Sequence, residues 1–184
     1  GNNGQPKDIG DEWVVQKYLE RPLLFWGRKF DIRVWVLVTS TFDIFTYKQG
    51  YLRTSSSTFS IDKNNESSSF VHLTNYCMQK HSSSVGKYED GNTLCYNDLQ
   101  NYINDNIAET TSSNKIDINT QIMNKIKSMI VDTILAGKSL GMGDNSNDEK
   151  RKSFELFGYD FMVDDDLRPW LIEVNTNPYL GGQN

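Results

Sequence analysis

Three oxygen-bearing side chains near the end of the chain, Asp160, Glu173 and Asn175, have the spacing of a metal site built on a β-hairpin. Two apolar, β-prone runs flank an Asp-rich turn, a pattern that predicts two paired strands. With the turn centred on residues 166–167, Asp160 lies opposite Glu173, and Gly158 lies opposite Asn175. Facing carboxylates repel unless a cation lies between them, and Mg²⁺ takes one or two carboxylates together with phosphate oxygens. The hairpin therefore predicts a site for Mg²⁺ and a nucleotide.

The other face of the same hairpin is predicted to pack inward. Side chains alternate between the two faces along a strand, so every second residue should reach the core. The inward-facing residues are expected to be Phe161, Val163, Trp170, Ile172 and Val174. The alternative is a surface hairpin whose polar face meets only water, because half-solvated antiparallel hairpins are common. A shift of one residue in register would also separate the three oxygen ligands.

A second group of reactive side chains lies earlier in the chain, where Lys29, Asp31 and Arg33 alternate with apolar residues. The alternation places three charges on one face of a predicted strand, and covering them is costly unless they bind something. The lysine and the arginine can hold phosphates while Asp31 accepts a hydrogen bond from a ribose hydroxyl. The alternative is an edge strand with an exposed, self-neutralising row of charges, a common protection against pairing with other chains.

Length and composition limit the class of protein. The 184 residues are enough for one domain with a sizeable core, and 37% hydrophobic and 12% aromatic content are typical of a globular fold. A net charge of −5, without a long basic stretch, argues against binding to nucleic acid or to an anionic membrane. No apolar run reaches the roughly 18 residues of a membrane span. The 2 cysteines lack metal-ligand spacing, which favours a reducing, cytoplasmic environment.

Most of the predicted strands precede the hairpin. Their expected positions are residues 13–19, 29–39, 42–48, 49–54 and 70–76. The 29–39 strand is expected to be central in a sheet, because its second half is almost entirely apolar. A bulge or bend is expected near Gly50, since glycine inside a strand pattern often marks one. Polar composition predicts loops at residues 55–69, 79–92 and 143–152.

Two helices are predicted between the early strands and the hairpin, at residues 96–107 and 120–140. Apolar side chains in the second helix keep the 3.6-residue period of an amphipathic helix. Asn119 or Thr120 is expected to cap its beginning and Gly141 its end. Strands on both sides of a helical insert predict an α+β domain with a mainly antiparallel sheet.

Four short motifs occur in sequence along the chain. They are Gln16-Lys-Tyr-Leu-Glu20, Gly27-Arg-Lys-Phe-Asp-Ile-Arg33, His72-Leu-Thr-Asn75 and Trp170-Leu-Ile-Glu-Val-Asn-Thr-Asn-Pro178. Together they resemble the tubulin–tyrosine ligase-like family of ATP-grasp amino-acid ligases, over residues 13–178 with variable inserts. The resemblance implies an ATP-grasp-like fold, in which residues 1–184 form the C-terminal portion of a ligase domain whose upstream part is missing.

The resemblance also implies roles for individual residues. In the family one strand contacts adenine, and the matching residues are Gln16, Lys17, Tyr18 and Leu19. The other positions that bind ATP match Lys29, Asp31, Thr74 and Asn75. The Mg²⁺ ligands match Asp160, Glu173 and Asn175, the residues already expected from the hairpin. The contacts to the incoming amino acid match Arg53, Tyr76 and Lys80. Catalysis would use the charges of Lys29, Arg33 and Glu173.

The expected reaction, by the same resemblance, uses ATP to add a free amino acid to tubulin tails through an acylphosphate intermediate. Glutamate is the leading expectation, with glycine and tyrosine as alternatives, because Thr54 and Cys77 depart from the family pattern beside the amino-acid site. Other hypotheses are a non-catalytic module that binds microtubules and an ATP-grasp enzyme acting on a metabolite. The expected location is the cytoskeleton, including the cilium or basal body. The isolated chain is expected to bind ATP weakly, because the family's upstream phosphate-binding loop is not in this sequence.

Overall fold

The central strand of the sheet is β2 (Arg28–Thr39) in the computed structural model, which describes residues 15–61, 69–107, 116–142 and 153–180. The other described strands are β1 (Leu24–Phe25), β3 (Ile44–Thr46), β4 (Tyr51–Thr58), β5 (Thr93–Cys95), β6 (Phe154–Val163) and β7 (Pro169–Thr176). Their pairings are all antiparallel, in the order β5-β4-β2-β6-β7, and β1 and β3 also pair with β2. The predicted antiparallel sheet with a central 29–39 strand is therefore confirmed.

The described helices all lie in the part of the chain between β4 and β6, before and after the short strand β5. They are α1 (Ser69–His72), α2 (Tyr76–Gln79), α3 (Tyr96–Asn106) and α4 (Asn124–Ser139), with a 3₁₀ turn at Asp90–Asn92 and a π-helical turn at Asn119–Met123 that leads into α4. The two long helices match the predicted ranges closely, and the α+β class with a helical insert is confirmed. None of the described helices is both long enough and apolar enough to cross a membrane.

One face of the sheet packs against α3 and α4 and forms the core. The apolar residues of β2 that alternate with its charges, Phe30, Ile32 and Val34, are each 1% exposed and belong to this core. The matching stripe on α4 includes Ile126 and Ile130, both fully buried. The alternation of strand residues and the helical period thus bury the two apolar surfaces against each other, as the sequence pattern predicts.

The ends of α4 are fixed by different devices. Its C-terminal end has Gly141 at φ 91°, and the N–H groups of Gly141 and Met142 bond to carbonyls of the last turn, which is a Schellman motif. The predicted N-cap is wrong by two to three residues. The Asp117 carboxylate accepts hydrogen bonds from the Asn119 N–H at 3.1 Å and the Thr120 hydroxyl at 3.0 Å. The earlier cap follows from the π-helical turn, which begins the helical backbone before residue 120.

Two predicted strands are wrong. Residues 70–76 lie in α1, the beginning of α2 and the turn between these helices. Residues 15–19 have no regular structure and are mostly exposed, while residues 13–14 lie outside the described ranges. Short apolar runs do not distinguish strand from helix, because both patterns fit four or five residues.

The loop predicted at residues 55–69 begins too early, because β4 continues to Thr58. Ser55 and Ser56 are buried at 0% and 4% exposure, so small hydroxyl side chains line the interior at this position. Residues 62–68 and the predicted loop at 143–152 lie outside the described ranges. The bend predicted near Gly50 is present as a turn at residues 48–49 between β3 and β4. The register irregularity in the pairing of β4 with β2 lies elsewhere, between Arg28 and Phe30.

The hairpin of β6 and β7 has the predicted register where the oxygen ligands lie, but a bulge changes the register nearer the turn. Asp160 pairs with Glu173, whereas Phe161 pairs with Leu171, so one extra residue is inserted at Ile172. Trp170 consequently pairs with Met162 and lies on the face opposite Phe161.

The predicted inward-facing set is therefore correct only on β6. Phe161 and Val163 are 0% and 1% exposed. Trp170, Ile172 and Val174 are 49%, 41% and 42% exposed, because of the bulge and because β7 lies at the edge of the described sheet.

A substitution in α4 tests the core. Changing Ile126→Ala should lower the free energy of unfolding by about 2–5 kcal/mol, because it leaves a cavity between the helix and the sheet. The matched control is Leu135→Ala on the solvent side of α4, where the side chain is 53% exposed, and a loss of less than about 1 kcal/mol is expected. Urea denaturation measures both values, and equal losses would contradict the packing described here.

Candidate functional site

The charged face of the sheet lies opposite the apolar core. Lys29, Asp31 and Arg33 project from β2 and are only 6%, 7% and 7% exposed. Because β2 is paired with strands on both sides, these charges lie at the centre of the sheet. The alternative of an exposed charge row on an edge strand is therefore wrong.

Four of the buried charges form an alternating array across three strands. Arg53 on β4 donates from Nε and Nη2 to the two carboxylate oxygens of Asp31, each at 2.7 Å. The same Nη2 lies 2.9 Å from Oδ2 of Asp160 on β6. Arg33 donates to Asp160 from Nε at 2.5 Å and from Nη2 at 3.0 Å. Two carboxylates and two guanidinium groups thus compensate one another, which buried charges require.

Ionisation within this array follows from its contacts. Burial opposes the charged form of Asp160, but hydrogen bonds from Arg33 and the positive charge of Arg53 outweigh burial and hold its pKa below the ordinary value. Burial likewise lowers the pKa of Arg53, but the carboxylates of Asp31 and Asp160 outweigh it and raise that pKa above the ordinary value. At Asp31, by contrast, burial outweighs the charge of Arg53 and the hydrogen bonds from Arg53 and Thr74, and it raises the pKa of this carboxyl above the ordinary value.

Lys29 lies at one end of the charged face, next to the segment that precedes β1. Its Nζ donates to the His72 carbonyl at 2.9 Å and to the Tyr18 hydroxyl at 3.2 Å. The Tyr18 hydroxyl also lies 2.8 Å from Nδ1 of His72. Burial lowers the pKa of Lys29, although the charge of Asp31 opposes this shift. Of the four residues assigned to adenine, Tyr18 contacts the charged face, Gln16 and Lys17 are exposed, and Leu19 is half-buried.

Thr74 and Asn75 lie between α1 and α2, beside the same carboxylate. The Thr74 hydroxyl donates to Asp31 Oδ2 at 2.6 Å, and Thr74 is 7% exposed. The Asn75 carbonyl accepts the first hydrogen bonds of α2, from Met78 and Gln79. The fold therefore brings together Lys29, Asp31 and Thr74 from two distant parts of the sequence.

The three predicted metal ligands share one patch at the edge of the charged face. Asn175 Nδ2 lies 3.1 Å from Glu173 Oε1 and 3.3 Å from Asp160 Oδ2. Asp160 is buried at 2% exposure, whereas Glu173 is exposed. Rotating the Asn175 amide by 180° presents its oxygen, giving a set of hard oxygen donors that fits Mg²⁺. A cation held there would compete with Arg33 and Arg53 for the Asp160 carboxylate.

A cleft of about 1020 Å³ opens beside Arg53. Arg53, Thr74 and Tyr76 line it together with the aromatic side chains of Trp35 and Tyr51. Arg53 therefore joins the cleft to the alternating charge array. Two of the three residues predicted to bind the incoming amino acid, Arg53 and Tyr76, lie in this lining. Lys80 is exposed after α2, outside the described lining of the cleft.

Sequence patterns did not identify several residues that support the site. Arg28 makes a bidentate pair with Glu89, at 2.7 and 2.8 Å, and its guanidinium carbon lies 4.4 Å from the centre of the Tyr88 ring. The indole N–H of Trp35 donates to the Tyr179 carbonyl at 3.1 Å, which fixes the chain after β7 against β2. These partners are separated by at least 60 residues in the chain, and no local pattern links them.

Gly158 leaves space for Arg33. A Cβ built on Gly158 would lie 2.8 Å from Cβ of Pro178 and 3.2 Å from Nη1 of Arg33. The glycine thus allows both the guanidinium group and the segment after β7 to lie directly on β6. The only sequence sign of this role is a glycine inside a strand, which often marks close approach of another group.

Two glycine substitutions test this close approach. Gly158→Ala should destabilise the protein by about 1–3 kcal/mol, because Pro178 or Arg33 must move away. Gly137→Ala in α4 is the matched control, since the nearest neighbours of its new Cβ belong to the flexible side chain of Met142. That change should be neutral or stabilising by up to about 1 kcal/mol through helix propensity. Chemical denaturation measures both, and a neutral Gly158→Ala would contradict the described packing.

Comparison of the sequence with known proteins identifies the family of this chain. The model of the tubulin-tyrosine ligase family matches residues 5–184. The chain is 37% identical over 179 residues to "Tubulin glycylase 3D" of Tetrahymena thermophila, covering 95% of this chain and 16% of the relative. It is 35% identical over 185 residues to human "Tubulin monoglycylase TTLL3", and this match covers 97% of this chain and 22% of the relative.

A polyglutamylase is also among the relatives. "Probable alpha-tubulin polyglutamylase Ttll1" of Tetrahymena thermophila is 33% identical over 187 residues, covering 98% of this chain and 41% of the relative. The chain thus spans less than half the length of these curated relatives. With a family model matching nearly the whole sequence, the chain belongs to the tubulin-tyrosine ligase family.

Proposed function

We propose that this chain forms part of an ATP-dependent ligase that joins a free amino acid, with glycine as the leading candidate, to a carboxylate of tubulin. The observation that carries the proposal is the buried array of Asp31, Arg53, Asp160 and Arg33 between the cleft and the oxygen ligands of β7. A buried array of this kind is costly to maintain for stability alone, since replacing buried ion pairs by apolar residues is often neutral or stabilising. Family membership and the relatives' names support the ligase class.

The identity of the amino acid is inferred from the relatives. Proteins named as tubulin glycylases, at 34–37% identity, include four from Tetrahymena thermophila and Drosophila melanogaster. The human monoglycylase adds a fifth, whereas another of the relatives compared above is named as a probable polyglutamylase. Glycine is therefore better supported than glutamate, which was the leading expectation from the sequence.

Nucleotide binding is assigned to the Lys29 end of the charged face. Asp31 and Thr74 form one wall, and the Lys29 ammonium supplies positive charge for phosphate oxygens. Asp160, Glu173 and Asn175 would hold Mg²⁺, which neutralises phosphate charge when bound. Tyr18 lies against Lys29, so residues 16–19 would lie beside the adenine base.

The chemistry requires alignment and charge neutralisation more than a protein nucleophile. A carboxylate does not react with an amine at neutral pH because its oxygen is a poor leaving group. Transfer of the γ-phosphoryl group to that carboxylate gives an acylphosphate. The neutral amine then attacks the carbonyl carbon of the acylphosphate and forms the amide bond, phosphate leaves with the electron pair of the C–O bond, and the nitrogen gives up one proton to the departing phosphate or to water. Arg53, which lines the cleft, would hold charged groups in line during both steps, and Arg33 would add positive charge through the shared Asp160.

The cleft favours a peptide acceptor over a small metabolite. Its volume of about 1020 Å³ is at the upper end of the range of small-molecule pockets and exceeds what glycine alone requires. Arg53 in its lining suits the carboxylate of an amino acid or of an acidic tail. A non-catalytic module has no need of a complete Asp160, Glu173 and Asn175 patch, which the structure keeps together.

Replacing one oxygen ligand tests the metal assignment. Glu173→Gln in the full-length protein should lower ligation by about 100-fold or more, because one charge of the phosphate-binding centre is lost. Glu173 is exposed, so the melting temperature should stay unchanged. Asp166→Asn in the exposed turn of the same hairpin is the control and should keep full activity. Wild-type activity in Glu173→Gln would contradict the assignment.

Labelled amino acids test the substrate. The full-length protein is incubated with ATP, tubulin and labelled glycine, glutamate or tyrosine in separate reactions. We expect ATP-dependent incorporation of glycine into tubulin. Incorporation of glutamate alone would overturn the assignment of glycine and retain the ligase. If a properly folded protein incorporates none of the three amino acids into tubulin, the result would favour the non-catalytic module.

A further inference from the structure

We propose that Gln79 is a positioning residue that holds the segment carrying Thr74 against the nucleotide site. This inference rests on the proposed function. Gln79 is 0% exposed although it is polar. It lies at the end of α2, five residues after Thr74, and its side chain points back toward β4. Gln79 borders the cleft, but its amide bonds only to backbone groups of β4 and of the stretch before Thr74, so we infer that it acts on the reaction through these neighbours.

The Gln79 amide joins two segments of backbone. Its Oε1 accepts a hydrogen bond from the Ser56 N–H of β4 at 2.8 Å. Its Nε2 donates to the carbonyl of Phe70 at 3.3 Å and to that of Leu73. One side chain thus links the sheet to both ends of the short stretch that leads into Thr74.

This link substitutes for a neighbouring strand. The β5 strand pairs with β4 at Tyr51, Leu52 and Arg53. Farther along β4, the Ser56 N–H is satisfied by Gln79, and the Thr54 carbonyl by the Asn92 amide at 3.1 Å. Side-chain amides therefore continue the hydrogen bonding of the sheet, and buried backbone groups require such partners.

The tethered stretch carries two contacts to the charged face. The His72 carbonyl accepts from Lys29, and the Thr74 hydroxyl donates to Asp31. Holding the carbonyls of Phe70 and Leu73 fixes the backbone direction on either side of His72. Without Gln79, the stretch loses its fixed distance from β4, and Thr74 is no longer held against Asp31. Asn92 bonds to the same strand, but its partners in the loop lie at Gly86, away from Thr74.

The test is a double-mutant cycle in the full-length protein. Gln79→Met keeps the size of the side chain and removes its three hydrogen bonds. We expect the KM for ATP to rise about 10-fold in Gln79→Met, but by less than about twofold when the same change is made in a Thr74→Val background, because coupled residues are not additive. An equal fold-increase in the KM for ATP in the wild-type and Thr74→Val backgrounds would show that Gln79 does not act through Thr74 and would overturn the proposal.

A stability control separates positioning from general loosening of the fold. Thr133→Val removes a hydrogen bond to the Tyr159 hydroxyl, of 2.9 Å, on the opposite face of the sheet. It should lower the melting temperature without moving the KM for ATP. If Thr133→Val raises the KM as much as Gln79→Met does, the effect is one of stability, and the proposal is wrong.

Hydrogen exchange tests the tether without catalysis, and Gln79→Glu provides a second variant that keeps the acceptor for Ser56. In both variants, amide exchange of residues 70–76 should accelerate by about 10-fold or more in the absence of ligand, as local opening becomes easier. Unchanged exchange would overturn the proposal. Faster exchange in a protein that shows no ligation in any assay would instead reject the proposed function and leave the tether intact.

Discussion

The buried array of two aspartates and two arginines is the constraint on which the rest of this structure depends. Desolvating each of these charges costs several kcal/mol, and only a well-placed partner of opposite sign recovers that loss. Asp31 and Arg53 are directly paired across β2 and β4, and Arg33 and Asp160 across β2 and β6. The array therefore requires three strands in one register, with β2 between the other two.

Neighbouring features of the fold protect this register. Gly158 lets the Arg33 guanidinium lie flat on β6, and Gly50 plays a similar part, since a Cβ there would overlap the Tyr96 hydroxyl and the Arg33 carbonyl. The bulge after Asp160 keeps the Asp160–Glu173 pair opposite each other. Gly158 thus gives room to a guanidinium group, Gly50 allows Tyr96 to approach the backbone of β2, and the bulge sets the register of β7.

The array also connects the parts of the proposed site. Arg53 borders the cleft and bonds to both Asp31 and Asp160. A single guanidinium group therefore connects each of these carboxylates to the cleft. A cation bound at Glu173 and Asn175 would draw on the Asp160 carboxylate and release donors of Arg33 or Arg53 for an anionic substrate. The Gln79 tether adds the segment of Thr74 to the same assembly from the side of β4.

The sequence by itself determined the elements with strong periodicity, and it singled out the residues proposed to carry the chemistry. The alternation in β2, the helical period of α4 and the pairing of Asp160 with Glu173 are local patterns, and the structure has all three. The helical form of residues 70–76, the exposure of Trp170 and the extension of β4 to Thr58 depend on packing against distant segments. Only the tertiary structure decided that Arg53 joins Asp31 to Asp160, and that the Gln79 amide links β4 to the backbone just before Thr74. The reason is that charge compensation and burial arise between residues far apart in the chain.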